Sequence, residues 1–114
     1  MPPTTSFRPG DVVLVRFLFT DGTGVKQRPA VVVSGPEYNG ERPDAVMVAI
    51  TSQRVDRAGD FELGDWRGAG LIKPSWVKAV IQTIEQGTIQ SVLGRLTDGD
   101  LARIKYTLRN VLAL

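Results

Sequence analysis

The chain has 114 residues, 42% hydrophobic and 23% charged, which fits one domain (residues 1–114) around one core and excludes a disordered chain. Its formal charge of +2 and pI near 9.3 permit an anionic partner without demanding one. Without cysteine or histidine it has no disulfide, thiolate metal site, thiol nucleophile or Ser-His-Asp triad, so any catalysis runs on Arg, Lys, Asp, Glu, Ser, Thr or Tyr.

The lead Met1-Pro2-Pro3-Thr4-Thr5-Ser6 has no basic region followed by an apolar one. No apolar run approaches the roughly 18 residues of a membrane span. The expectation is a cytoplasmic protein without membrane contact. Pro9-Gly10 is a turn signal, and Asp11 to Phe19 reads as a strand. Val13, Val15, Phe17 and Phe19 line one face; Val12, Leu14, Arg16 and Leu18 line the other, nearly as apolar, so the strand is expected to be covered on both sides. Thr20 to Gln27 is a mobile connecting loop by composition. Its Gly22-x-Gly24 pair is too short for a dinucleotide fingerprint.

Pro29 to Ser34 is the second strand, with the β-branched run Val31 to Val33 at its centre. Pro29 suits a first strand position and biases Arg28 towards an extended backbone. Arg28 is then held at the mouth of a rigid strand. It is either an oriented guanidinium or one more surface arginine. Gly35 to Pro43 reads as a loop, and Asp44 to Thr51 as the third strand. Ser52 to Gly70 is polar, with a short strand at Phe61 and Leu63. Val77 to Glu85 and Thr88 to Leu96 are two further strands around a Glu85-Gln86-Gly87 turn.

Thr97-Asp98-Gly99-Asp100 puts Thr at the N-cap and Asp at N3, a weaker relative of the capping box. Leu101, Ile104, Leu108, Val111 and Leu112 then recur at helical spacing, so a helix is predicted over 98–112 with its apolar stripe on the sheet. Its cations read as a solvated face that favours the helix C-terminus. Short strands followed by one helix, with no helices between them, imply a mainly β fold: a small, curled, antiparallel sheet.

Three segments in this order resemble the PemK/MazF family of toxins from bacterial toxin–antitoxin systems. They are Pro9-Gly10-Asp11-Val12-Val13-Leu14-Val15, then Lys26-Gln27-Arg28-Pro29-Ala30-Val31-Val32-Val33-Ser34, then Val48-Ala49-Ile50-Thr51-Ser52. Ala69 to Val77 and Leu93 to Thr97 resemble a branch of the same family, and the likeness runs from about Phe7 to Leu112. The resemblance implies an SH3-like antiparallel β-barrel with a C-terminal helix, assembled as a homodimer. It implies an endoribonuclease that cleaves single-stranded RNA at short sequences without a metal or cofactor, inhibiting translation and growth. It also implies a small antitoxin partner whose disordered tail blocks the RNA groove. Arg28 matches the family's arginine before strand two, and Thr51 its threonine or serine at the end of strand three. Under that resemblance Lys26, Gln27, Ser52, Gln53, Lys73, Ser75 and Trp66 are candidate RNA contacts.

Metal-free cleavage uses the RNA 2′-hydroxyl as nucleophile. It needs a proton acceptor, charge stabilisation on the phosphorane and a proton donor to the 5′-oxygen. Arg28 suits charge stabilisation, because its fork matches two phosphate oxygens, and Thr51 suits orientation of the same phosphate. The general base has no histidine to supply it. Lys73 is a base if desolvated and otherwise a phosphate contact; Asp60, Glu62 and Glu85 are further candidates. Phe19, Tyr38, Trp66 and Trp76 are the aromatic faces near loops, with Trp66 the better stacking platform and Trp76 a core or dimer-interface residue. Lys26, Arg54, Arg57, Arg67 and Lys73 can line a groove or stand as solvated charges. Two alternatives share the fold: a toxin that binds DNA gyrase, and a relative that binds RNA or protein without catalysis. Retention of Arg28 with Thr51 argues against the gyrase binder.

Overall fold

The computed structural model describes residues 6–18 and 24–114. Six strands form one sheet: β1 (Asp11–Leu18), β2 (Val25–Val32), β3 (Asp44–Thr51), β4 (Phe61–Glu62), β5 (Trp76–Glu85) and β6 (Ile89–Arg95). A single-turn helix, α1 (Pro36–Glu41), joins β2 to β3, and α2 (Asp98–Leu112) closes the chain. The sheet order is β4-β5-β3-β2-β1-β6, and every pairing is antiparallel.

Chain connectivity forces this sheet to roll. β5 stands second in the order and β6 last, yet only the 3-10 turn Gln86–Thr88 joins them. Three residues span at most about 11 Å, so the end of β5 and the start of β6 must come close. The expected barrel is present as a rolled sheet that stays open, with no pairing between β6 and β4 or β5 among the described residues. Across that opening the 64–75 segment lies on β6. Gly70 has φ +82° and packs on the Leu93 carbonyl, and a Cβ on Gly94 would stand 2.6 Å from the Ala69 carbonyl.

The rolled sheet has two buried faces, and β1 contributes to both. Val12 joins Val31, Val48, Ile50, Phe61, Leu63, Val77 and Ile104 in one cluster. Val13 and Val15 join Ala30, Val32, Ala45 and Met47 in the other. The two-sided apolar pattern of β1 is thus accounted for. Helix α2 covers the first cluster through buried Ile104 and half-buried Leu101 and Leu108, while Val111 and Leu112 at its end are exposed. Thr97 caps α2 as expected, its Oγ1 accepting from the Asp100 N–H at 3.1 Å. The Asp100 carboxylate does not complete a capping box. It accepts instead from the Gly64 N–H at 3.1 Å and the Asp65 N–H at 3.2 Å.

Two expected boundaries are corrected. β2 begins at Val25, so residues 25–27 are strand rather than loop, because β1 supplies a pairing partner as far as Leu18↔Val25. The segment 36–41 is a helix rather than loop. It has no apolar period, but Pro36 presets the first turn. Buried Asn39 anchors it by accepting from the Ser34 hydroxyl and donating to the carbonyls of Phe7 (2.7 Å) and Ser34 (2.9 Å). At its exit Arg42 and Asp44 form an ion pair at 2.8 Å, and the hydrogen bond from Arg42 holds the Asp44 carboxyl below the usual carboxylate range. Phe19 and the 20–23 part of the expected loop lie outside the described residues. No helix among the described residues is long and apolar enough to cross a membrane.

Candidate active site

The face of the sheet that carries the second cluster is buried only over part of its length. On β3 it shows Ala45 and Met47, both buried, then half-buried Ala49 and Thr51. On β2 it shows Val32 and Ala30, both buried, then exposed Arg28. Where burial ends, a groove of about 880 Å³ begins. Its walls include Arg28 and Pro29 from β2, Ala49 and Thr51 from β3, and Lys78, Val80 and Gln82 from β5. Leu71, Ile72 and Lys73 from the 64–75 segment complete it.

Pro29 explains why the sheet opens there. In an antiparallel strand successive residues turn their N–H and C=O groups to alternate sides. The Val32 carbonyl accepts from the Gly10 N–H on the β1 side, and the Val33 N–H donates to the Val46 carbonyl on the β3 side, both at 2.9 Å. The alternation therefore turns Pro29 towards β3, where its nitrogen carries no hydrogen to donate. The β2–β3 ladder ends one residue away, at Ala30↔Ala49. Continuing that register past the break sets Arg28 opposite Thr51, on one face of the sheet.

The Arg28 side chain makes one hydrogen bond among the described residues, from Nη1 to the neighbouring Gln27 carbonyl at 3.3 Å. It has no carboxylate partner among the described residues. Its charge is therefore available to an anion. The Thr51 Oγ1 accepts from the Gln53 N–H at 3.1 Å, a bond that turns the chain out of β3. A hydroxyl that accepts in this way still has its own hydrogen to donate. The arrangement can hold one tetrahedral anion between a guanidinium fork and a hydroxyl donor.

Most of the other expected site residues are placed around this pair. Gln27, Ser52, Gln53, Lys73 and Ser75 line the groove. Ser75 is buried, and its hydroxyl donates to the Lys73 carbonyl at 2.9 Å, so it shapes the turn that presents exposed Lys73. Lys26 lies two residues along β2 from Arg28 and is not among the lining residues. Trp66 is also outside the groove. It packs on the first core cluster as a half-buried ring, with the Arg67 guanidinium 4.8 Å from its ring centroid, although its sequence neighbours are charged. Trp76 is half-buried in the row with Thr51, and Tyr38 lies on α1 beneath Arg42. Of the five cations considered for a groove, only Lys73 lines it.

None of the three carboxylates considered as a base lines the groove. Asp60 accepts from the Ala79 N–H at 2.7 Å and the Arg57 N–H at 2.9 Å, fixing the approach to β4. Glu85 pairs with Asp44 at the far end of β5, and Glu62 stands beyond Trp76 on β4. No three His, Cys, Asp or Glu side chains among the described residues gather as a metal-ligand set. Lys78, Val80 and Gln82 are groove residues that sequence reasoning missed. Their alternation along β5 was the available signal.

Comparison with known proteins places this geometry. An endoribonuclease solved in complex with its cognate antitoxin, from a mycobacterial species, superposes with a TM-score of 0.78 at 24% identity, covering 96% of this chain and 97% of that one. A MazE–MazF structure from Deinococcus radiodurans superposes with a TM-score of 0.80 at 19% identity, covering 96% and 98%. A second mycobacterial endoribonuclease gives 0.76 at 21% identity, covering 98% and 96%. These likenesses establish the fold. No curated protein is significantly similar in sequence. The sequence profile of the family described as PemK-like, MazF-like toxin of type II toxin-antitoxin system matches residues 8–112. With nearly its whole length matched, and with the rolled sheet and terminal helix of MazF structures, this chain belongs to the PemK/MazF family of type II toxins.

Proposed function

We propose that this chain is the toxin of a type II toxin–antitoxin pair and cuts single-stranded RNA, without a metal ion, through the substrate's own 2′-hydroxyl. The 2′-oxygen bonds to the adjacent phosphorus as the bond to the 5′-oxygen breaks. The 2′-proton leaves to a base, and the departing 5′-oxygen takes up a proton. Negative charge gathers on the non-bridging oxygens between these events. Arg28 meets that charge with two N–H groups, and Thr51 donates to the same phosphate. Lys73 and Lys78 hold neighbouring phosphates, with Ser52 and Gln53 at the mouth.

The observation that carries this reading is the placement of Arg28 and Thr51 across an opened ladder at one end of a groove lined by cations. Removal of one such donor typically slows a reaction by about 10²–10³-fold. The test is incubation of the wild type and Arg28→Ala with a long unstructured RNA in EDTA, followed by sequencing of new 5′ ends. Discrete cuts by the wild type alone are expected. Intact RNA in both samples, from folded protein, refutes the nuclease and leaves a gyrase-binding or inactive relative.

The same reading includes an antitoxin that covers the groove and a homodimer of this chain in the cytoplasm. The antitoxin is supported by the antitoxin-bound structures of proteins with this fold. The homodimer is supported by an apolar side chain left exposed outside the groove, Val92 on β6.

A further inference from the structure

One wall of the groove is not held by sheet register. Leu71, Ile72 and Lys73 belong to no strand; they lie in the connection from β4 to β5. The Leu63 N–H donates to the Ser75 carbonyl at 3.0 Å, so residues 64–74 leave and rejoin the sheet at one point. A closed excursion of this length is an Ω-loop, a compact unit packed by its own groups. Within it the N–H groups of Ala69, Gly70 and Leu71 donate to the carbonyls of Asp65 (3.3 Å), Arg67 (3.0 Å) and Trp66 (3.0 Å). The Asp65 carboxylate accepts from the Gly68 N–H at 2.9 Å. These bonds stiffen residues 65–71, so a displacement at the start of the loop is carried to Leu71 and the wall.

The start of the loop is held by one side chain. The Gly64 and Asp65 N–H groups both donate to the Asp100 carboxylate, at 3.1 and 3.2 Å. Asp100 is the buried carboxylate among the described residues, it forms no ion pair there, and the proposed cleavage does not use it. An ionised carboxylate only accepts, which suits a pair of N–H donors. Its helix, α2, packs on the first core cluster, whereas the groove opens on the face of the second. Leu71 spans the two, packing on the first cluster and lining the groove.

We infer that Asp100 is a positioning residue for RNA binding. It touches no RNA. It fixes the Ω-loop from behind the sheet, so that Leu71 and Ile72 border the bound strand and Lys73 meets a phosphate. The role rests on the nuclease reading above.

The test measures kcat and KM on one RNA that the wild type cuts. The variants are Asp100→Asn, Gly64→Ala and, as control, Asp98→Asn in the same turn. A carboxamide keeps the shape of Asp100 but turns an NH2 group on the loop's own donors. KM should rise roughly 10-fold, the loss of one hydrogen bond to a charged group at the low end of its range, while kcat holds, because Arg28 and Thr51 stand on β2 and β3. A merely structural carboxylate would act the other way: the folded fraction drops, kcat falls in proportion and KM stays. Gly64→Ala presses on the same contact from the loop side, its Cβ 3.2 Å from Asp100 Oδ1, and decides the matter if Asp100→Asn misfolds. In a Lys73→Ala background, where the wall has already lost its phosphate contact, Asp100→Asn should raise KM by roughly 3-fold or less. An unchanged KM in Asp100→Asn and Gly64→Ala, or a KM rise undiminished by Lys73→Ala, overturns this inference and leaves the nuclease standing. A wild type that cuts nothing removes both.

Discussion

Replacing Asp100 with alanine separates a helix-capping role from a tertiary one. Asp100 is 9% exposed, and its carboxylate accepts from the N–H groups of Gly64 and Asp65. A hydrogen bond to a charged group contributes about 1.5–3 kcal/mol. Gly64 and Asp65 are exposed, so water replaces the lost acceptor in part and the lower value applies to each. The acidic charge in the first turn of α2 adds about 0.5 kcal/mol. The Thr97 cap survives, because Asp100 contributes only its backbone N–H there. The expected loss is therefore about 3–4 kcal/mol, measured as ΔG of unfolding in urea. Asp98→Ala is the control: Asp98 is exposed in the same turn and makes no such bonds, so its loss is about 0.3–1 kcal/mol. Equal losses for the two variants would show that the reach across to Gly64 contributes nothing.

Three further outcomes are expected. Gly70→Ala should destabilise the fold by about 2 kcal/mol or more, because it meets both a positive φ and the Leu93 carbonyl, whereas Gly87→Ala, with open space around it, should cost under about 1 kcal/mol; comparable urea midpoints would contradict the packing of the 64–75 segment on β6. The Arg42–Asp44 pair stabilises the fold above the ordinary carboxylate value near pH 3.8, and that contribution drains away as pH falls through the lower value of folded Asp44. The difference in urea stability between wild type and Asp44→Asn should therefore shrink towards acid and with added salt; a difference that grows towards acid would have the wrong sign. Finally, Lys78→Ala in an Arg28→Ala background should lower the slope of log affinity for single-stranded RNA against log salt by about 0.7, one phosphate's worth, equally for all sequences. An unchanged slope in a filter-binding titration would remove Lys78 from the phosphate path.

The parts of the fold legible in the sequence were those with an unbroken apolar run or a clear apolar period. β3 and α2 have the expected bounds, Asp44–Thr51 and 98–112: β3 is apolar on both faces, which meet the two core clusters, and α2 keeps its 3.6-residue spacing where one face meets the core. Lys26-Gln27-Arg28 hid the start of β2, since a strand that lines an open groove carries polar side chains and looks like loop. The helix at Pro36 was invisible because Asn39 anchors it through polar bonds with distant backbone. At the site, Arg28 and Thr51 came from a family pattern, but their relation came from the β2–β3 register, which no local pattern encodes. Trp66 was misplaced for the converse reason: its burial comes from residues far off in the chain, whereas its sequence neighbours are charged.

The missing hydrogen on Pro29 has a consequence for how such a protein can be improved or ruined. A designer optimising the sheet would put valine there, restoring the N–H and letting β2 and β3 zip on to Thr51. The molecule gains strand length and loses the cleft between Arg28 and Thr51. The proposed function occupies a fault in the secondary structure. Any search that ranks variants of this chain by stability alone will therefore tend to heal the fault and discard the proposed activity with it.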